Sequence, residues 1–174
     1  MNNLTFTALE SQVLEWLLAG EDPVLNVLRQ QLHSSKIESR EYTGVGIYLN
    51  FDVPRTYGKS LESLNAKPSF CFGDVDAVLV SGDKQQMVGF LLWIENGCLD
   101  SLEGYTYGLE KWPETIDEFH LSYMGGQREL DDLQRNWRLW EQQIRAGVTC
   151  INLGETFEIS IGEPKEPGTP TAPD

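Results

Sequence analysis

Apolar residues along the chain recur first at helical spacing, then in alternation, then at helical spacing again, which predicts helices, strands and a further helix in that order. Thr7 followed three residues later by Glu10 has the form of a capping box, in which each side chain satisfies the other residue's free backbone N–H. The helix it opens runs to about Ala19, with Leu9, Val13, Trp16 and Leu17 as its apolar stripe and Gly20 as a left-handed stop. Asp22-Pro23 starts a second helix, because Asp accepts from the first-turn amides and Pro at the first position lacks only a donor that has no partner there. Val24, Leu25, Leu28 and Leu32 form its buried side. From about Lys36 the β-formers Tyr42, Val45, Ile47, Leu49 and Phe51 read as one long strand ended by Pro54, with Gly44 and Gly46 marking a bulge or a close backbone approach. Residues 55–69 read as a surface loop, whose Gly58-Lys59-Ser60 lacks the leading glycine of a phosphate-binding loop.

Phe70 to Val80 is a further strand, and Met87 to Pro113 the centre of the pattern: an apolar run, Asn96-Gly97, then a run ending in alternating aromatics. Asn-Gly tolerates the positive φ angles of a tight hairpin turn. A two-residue loop pairs Glu95 with Cys98, Leu91 with Leu102 and Phe90 with Glu103; a loop with a glycine bulge shifts the register by one and places Glu103 among Leu91 and Trp93. Residues 114–127 read as an irregular acidic connector. A long helix is expected over about Arg128 to Ala146, where Leu130, Leu133, Trp137, Trp140 and Ile144 form a stripe. Thr156 to Ile161 fits a last short strand, and residues 162–174 a Pro-rich extended or disordered tail. The expected architecture is thus one α+β domain over residues 1–161. It holds an antiparallel sheet of about four or five strands, two short N-terminal helices and one long C-terminal helix packed on it.

Composition narrows the functional classes. The chain has 174 residues, 40% hydrophobic and 23% charged, as ordinary globular proteins do. No apolar run approaches membrane-spanning length, and the N-terminal residues lack the basic and apolar regions of a signal peptide, so a cytoplasmic location is expected. The net charge of −14 disfavours nucleic acid and anionic membranes and favours a basic protein as partner. Three scattered cysteines fit reduced thiols, and the two histidines, His33 and His120, fit no histidine-rich zinc site. No cofactor is implied.

Glu103 is the carboxylate whose position demands most explanation. In either register it shares a face with large apolar side chains, where an ionised carboxylate needs a partner or a raised pKa. Asp74 and Asp76 lie two apart on a strand, a spacing that puts both on one face and could offer oxygen ligands to a cation if other groups joined them. Glu95 stands beside the hairpin turn, Tyr105 and Tyr107 follow Glu103 as the lining of any pocket there, and Trp112, near the end of the aromatic strand, is a further binding candidate as part of a contact segment.

Thr43-Gly44-Val45-Gly46, Phe72-Gly73-Asp74-Val75, Leu102-Glu103-Gly104-Tyr105-Thr106-Tyr107-Gly108 and Trp112-Pro113 carry a resemblance, as do Leu18-Ala19-Gly20 and Pro23-Val24-Leu25. Over about Leu17 to Pro113 the chain resembles a family of small, functionally uncharacterised bacterial proteins. That resemblance implies a cytosolic bacterial α+β protein and brings no catalytic residues. Size and charge are also those of many immunity partners of secreted toxins, an analogy rather than a motif. Three functions follow as expectations. The first is a non-enzymatic acidic binding protein of inhibitor or immunity type that occupies a basic partner. The second is a hydrolase or metal-dependent enzyme centred on Glu103, with Asp74, Asp76 or Glu95 assisting. The third is a homodimer that pairs its own aromatic strand.

Overall fold

Two capping signals set the start of the structure. The computed structural model of the protein describes residues 4–54, 69–108, 110–128 and 130. Helix α1 spans Ala8–Leu17 and begins with the full capping box: the Glu10 amide donates to Thr7 Oγ1 at 3.2 Å and the Thr7 amide to Glu10 Oε2 at 2.7 Å. Gly20 follows at φ 107°, the left-handed residue that ends the segment. Helix α2 spans Pro23–Ser34, with Asp22 accepting from the amides of Val24 and Leu25.

Six strands follow: β1 Lys36–Tyr42, β2 Gly46–Asp52, β3 Phe70–Ser81, β4 Lys84–Glu95, β5 Cys98–Thr106 and β6 Glu118–Tyr123. They form one sheet in the order β1-β2-β5-β4-β3-β6, with every neighbouring pair antiparallel. The protein is therefore α+β, as expected, but the strand count is higher among the described residues. Residues 36–52 make a hairpin rather than one long strand. Gly44 takes φ 91° and the Thr43 amide donates to the Gly46 carbonyl, so the glycine that reads as a bulge reverses the chain. The sixth strand falls within the acidic connector. Its alternation is complete, Phe119, Leu121 and Tyr123 partly buried and Glu118, His120 and Ser122 exposed. Apart from Arg128 and Leu130, the helix expected over 128–146, the last strand and the tail lie outside the described residues.

The central hairpin combines both expected registers. Asn96 and Gly97 have φ 50° and 77°, a two-residue turn positive at both positions, and Glu95 faces Cys98. The pairing then slips between Trp93 and Ile94, opposite Asp100. Beyond that bulge Leu92 faces Leu102 and Leu91 faces Glu103.

One face of the sheet holds the core. Phe72, Val75, Ala77 and Leu79 of β3, Val88, Phe90 and Leu92 of β4, Leu102 of β5 and Ile47 and Leu49 of β2 pack with Leu14, Leu17, Leu25 and Leu28 of the helices. Helix α1 lies against β3 and α2 against β5. Both sheet edges reach α1: Arg40 of β1 pairs with Glu10 at 2.7 Å, and the Tyr123 hydroxyl of β6 donates to the Trp16 carbonyl at 3.1 Å. Gln31, fully buried in α2, fastens the hairpin turn. Its Nε2 donates to the Gly97 carbonyl and its Oε1 accepts from the Leu99 amide, each at 2.8 Å.

The segments around Gly44, Gly104 and Trp112 meet within this packing. The Trp112 amide donates to the Gly44 carbonyl at 2.9 Å, and the Thr106 amide to Val45. A Cβ on Gly46 would lie 2.3 Å from the Gly104 carbonyl oxygen, and one on Gly104 would lie 2.9 Å from the Trp112 ring. Glycine is needed at both positions because backbone and indole occupy the space of a side chain.

Candidate functional site

Alternation along β5 sends Leu102 and Gly104 to the helix side and Glu103, Tyr105 and Tyr107 to the opposite face. On β4 it sends Leu91 and Trp93 to that same opposite face. Tyr48 of β2 stands directly across from Glu103. This outer face brings together four of the residues singled out from the sequence: Asp76, Glu103, Tyr105 and Tyr107.

Glu103 is half-buried and has the partner its surroundings require. The Tyr48 hydroxyl donates to its Oε1 at 2.7 Å and the Trp93 indole N–H to its Oε2 at 3.0 Å. The two donors come from the strands on either side of β5, so the carboxylate ties three strands together. Trp93 belongs to Glu103 only in the slipped register.

Two rows along, Tyr105 and Tyr107 fold over Gly89. A Cβ there would lie 2.5 Å from the Tyr105 hydroxyl and 2.8 Å from that of Tyr107, and the two rings meet edge to face at 5.4 Å. The Tyr107 hydroxyl crosses β4 to donate to Asp76 Oδ1 at 2.5 Å, a short charge-assisted bond. Burial raises the Asp76 carboxyl above the ordinary aspartate range, opposed by the Tyr107 bond and reinforced by the neighbouring charge of Asp74. Tyr107 as a residue is 44% exposed, but its hydroxyl end lies against the sheet. Burial of that end, and then the bond to Asp76, push its phenol above the ordinary tyrosine range.

The other candidates go elsewhere. The β-bulge between Phe72 and Val75 turns Asp74 away from the task of its neighbour. Asp74 takes a two-pronged ion pair from Arg128, at 2.6 Å and 2.8 Å, while the same guanidinium donates to the Leu17 and Ala19 carbonyls at 2.7 Å each and lies 5.3 Å from the Tyr123 ring centroid. The carboxylates of Asp74 and Asp76 thus serve different partners and do not converge on a common ligand. Trp112 is 7% exposed on the helix side, 6.3 Å from Phe90 in an edge-on contact, so it packs the core and does not line the outer face. Glu95 sits at the far end of the hairpin in an open cleft of ≈ 540 Å³, where Glu38, Asp52 and Asp100 join it around Cys98. Burial raises the Cys98 thiol above its ordinary value.

Tyr48, Trp93, Gly89 and Arg128 complete these arrangements, and none follows from local spacing. Only the interrupting Gly89 in an apolar run signals a close approach. Among the described residues no three or more His, Cys, Asp or Glu side chains gather as a metal site, and no helix is long and apolar enough to cross a membrane. The chain matches no protein-family model, no curated protein and no solved structure.

Proposed function

We propose that the protein is a non-enzymatic acidic binding protein, of inhibitor or immunity type, that occupies a basic protein partner. One observation carries this reading: the arginines among the described residues are all spent internally. Arg40 neutralises Glu10, Arg128 neutralises Asp74, and Arg29 donates to the Leu18 and Gly20 carbonyls and to Asn26. Arg128 and Arg29 thereby cap the negative end of α1. What they leave to solvent is the surplus of carboxylates behind a net charge of −14, including Glu38, Asp52 and Glu95, which carry no hydrogen bond or ion pair among the described residues. Such a field accelerates encounter with a positive partner and repels polyanions.

The enzymatic alternative centred on Glu103 has less behind it. Both oxygens of that side chain accept from aromatic donors on adjacent strands, and no second carboxylate is bonded to it among the described residues. That arrangement anchors the sheet.

Affinity capture from host lysate at low salt, with salt-step elution and mass spectrometry, tests the proposal. The expected result is a basic protein whose association rate with the purified chain falls steeply as salt rises. Recovery of nothing beyond control beads, or of partners that associate equally fast at low and high salt, refutes it.

A further inference from the structure

Two neighbouring aspartates of β3 stand in similar company, and among the described residues only Asp74 has a cation. Asp74 is met by Arg128, whose guanidinium takes both carboxylate oxygens and lies over the ring of Tyr123. Asp76, two residues on, also has a tyrosine beside it, Tyr107, which donates to Oδ1. Among the described residues no hydrogen bond reaches its Oδ2 and no cation pairs with the carboxylate. A half-buried carboxylate in that condition bears a desolvation cost that an incoming cation would offset. The surface beside it is open and apolar: Met87 is 56% exposed and Tyr107 44% exposed, and Val78 faces Met87 on the adjoining strand. Tyrosine and methionine are enriched at interface centres, as is arginine, the cation that would meet the carboxylate.

We propose that Asp76, Tyr107 and Met87 form a docking site for an arginine side chain of a basic protein partner, completing on the outer face the arrangement that Arg128 completes beside α1. The proposal rests on the acidic-binder reading given above and names the surface that does the recognising. Arginine fits better than lysine. Its planar guanidinium can donate to Oδ2 while stacking on the Tyr107 ring, and its aliphatic stem can lie along Met87. An ammonium supplies the charge without the plane.

The test is fluorescence anisotropy with two labelled probes of equal charge, acetylated hexa-arginine amide and hexa-lysine amide, at about 20 mM and about 0.3 M salt. Three variants each raise the net charge by one unit: Asp76→Asn and Asp83→Asn by removing a carboxylate and Met87→Arg by adding a guanidinium, with Asp83→Asn in the β3–β4 turn as the matched control. Met87→Arg supplies the missing cation from within the chain at an exposed position, so it keeps the test decisive if Asp76→Asn does not fold. The proposal expects hexa-arginine to bind tighter than hexa-lysine. It also expects Asp76→Asn and Met87→Arg to weaken hexa-arginine binding by about tenfold, and Asp83→Asn by less than about twofold. Equal, small losses in all three variants, or equal affinity for the two probes, overturn the arginine site and leave the acidic-binder reading standing. Failure of both probes to bind the native protein at low salt overturns the two together. A stable dimer that covers Met87 and Tyr107 in solution also overturns the site, because the surface is then a self-contact.

Discussion

Gln31→Met asks whether the amide clamp between α2 and the hairpin turn holds the fold as the geometry says. The side chain is fully buried and makes two hydrogen bonds of 2.8 Å, one to the Gly97 carbonyl and one from the Leu99 amide, both themselves buried. Methionine has nearly the same volume and no group able to replace either bond, so the perturbation is polar and not a cavity. Leaving two buried backbone groups unsatisfied costs about 1–3 kcal/mol each, and the methionine recovers about 1 kcal/mol by apolar burial. The net loss is about 3 kcal/mol. With a urea slope of about 2 kcal/mol per molar for a domain of this size, the unfolding midpoint should fall by about 1.5 M. Gln30→Met on the exposed side of the same helix is the reference and should leave the midpoint unchanged. Hydrogen exchange adds a local reading, since the Leu99 amide should lose protection ahead of its strand neighbours. A Gln31→Met midpoint within about 0.2 M of the native value, with Leu99 still protected, would refute the clamp.

Other outcomes follow from the two carboxylate arrangements. Glu103→Gln keeps one acceptor and turns an amide N–H toward the second donor, so thermal unfolding should show a loss of about 1–3 kcal/mol, with Trp93 fluorescence altered. Arg128→Ala leaves Asp74 without its ion pair and the Leu17 and Ala19 carbonyls without their guanidinium donor, and should cost about 3–5 kcal/mol by urea denaturation; Asp74→Asn combined with it should cost less than the sum of the two. The Asp76 carboxyl is raised in the folded state, so the stabilisation linked to its protonation is fully present below the ordinary aspartate value of 3.8 and is lost as pH rises through the folded value. The stability of Asp76→Asn relative to the native protein should therefore improve as pH climbs from about 3 to 7, and a difference that stays flat with pH would contradict the burial of this carboxyl.

Much of the chain's local structure is legible in its residues because the signals act over one or two turns. Thr7 and Glu10 cap α1, Asp22-Pro23 opens α2, and Asn96-Gly97 makes the hairpin turn, each by chemistry contained within a few positions. The demand that Glu103 find a partner is also legible, since it follows from a carboxylate among apolar neighbours. The partner's identity is not. Which donors reach it depends on the slip opposite Asp100 and on β2 lying beside β5, and both are pairings between segments far apart in sequence. For the same reason Gly44 reads equally well as a bulge and as a turn until β2 finds a strand to fold back on. The short β6, acidic and weakly apolar, becomes a strand only because β3 offers it an edge. The α+β class, the caps, the hairpin and the acidity were all written in local residue patterns and composition. That Arg128 meets Asp74 while Tyr107 meets Asp76 was settled by the packed fold, because ion pairs and sheet faces are assembled by long-range packing that local spacing does not encode.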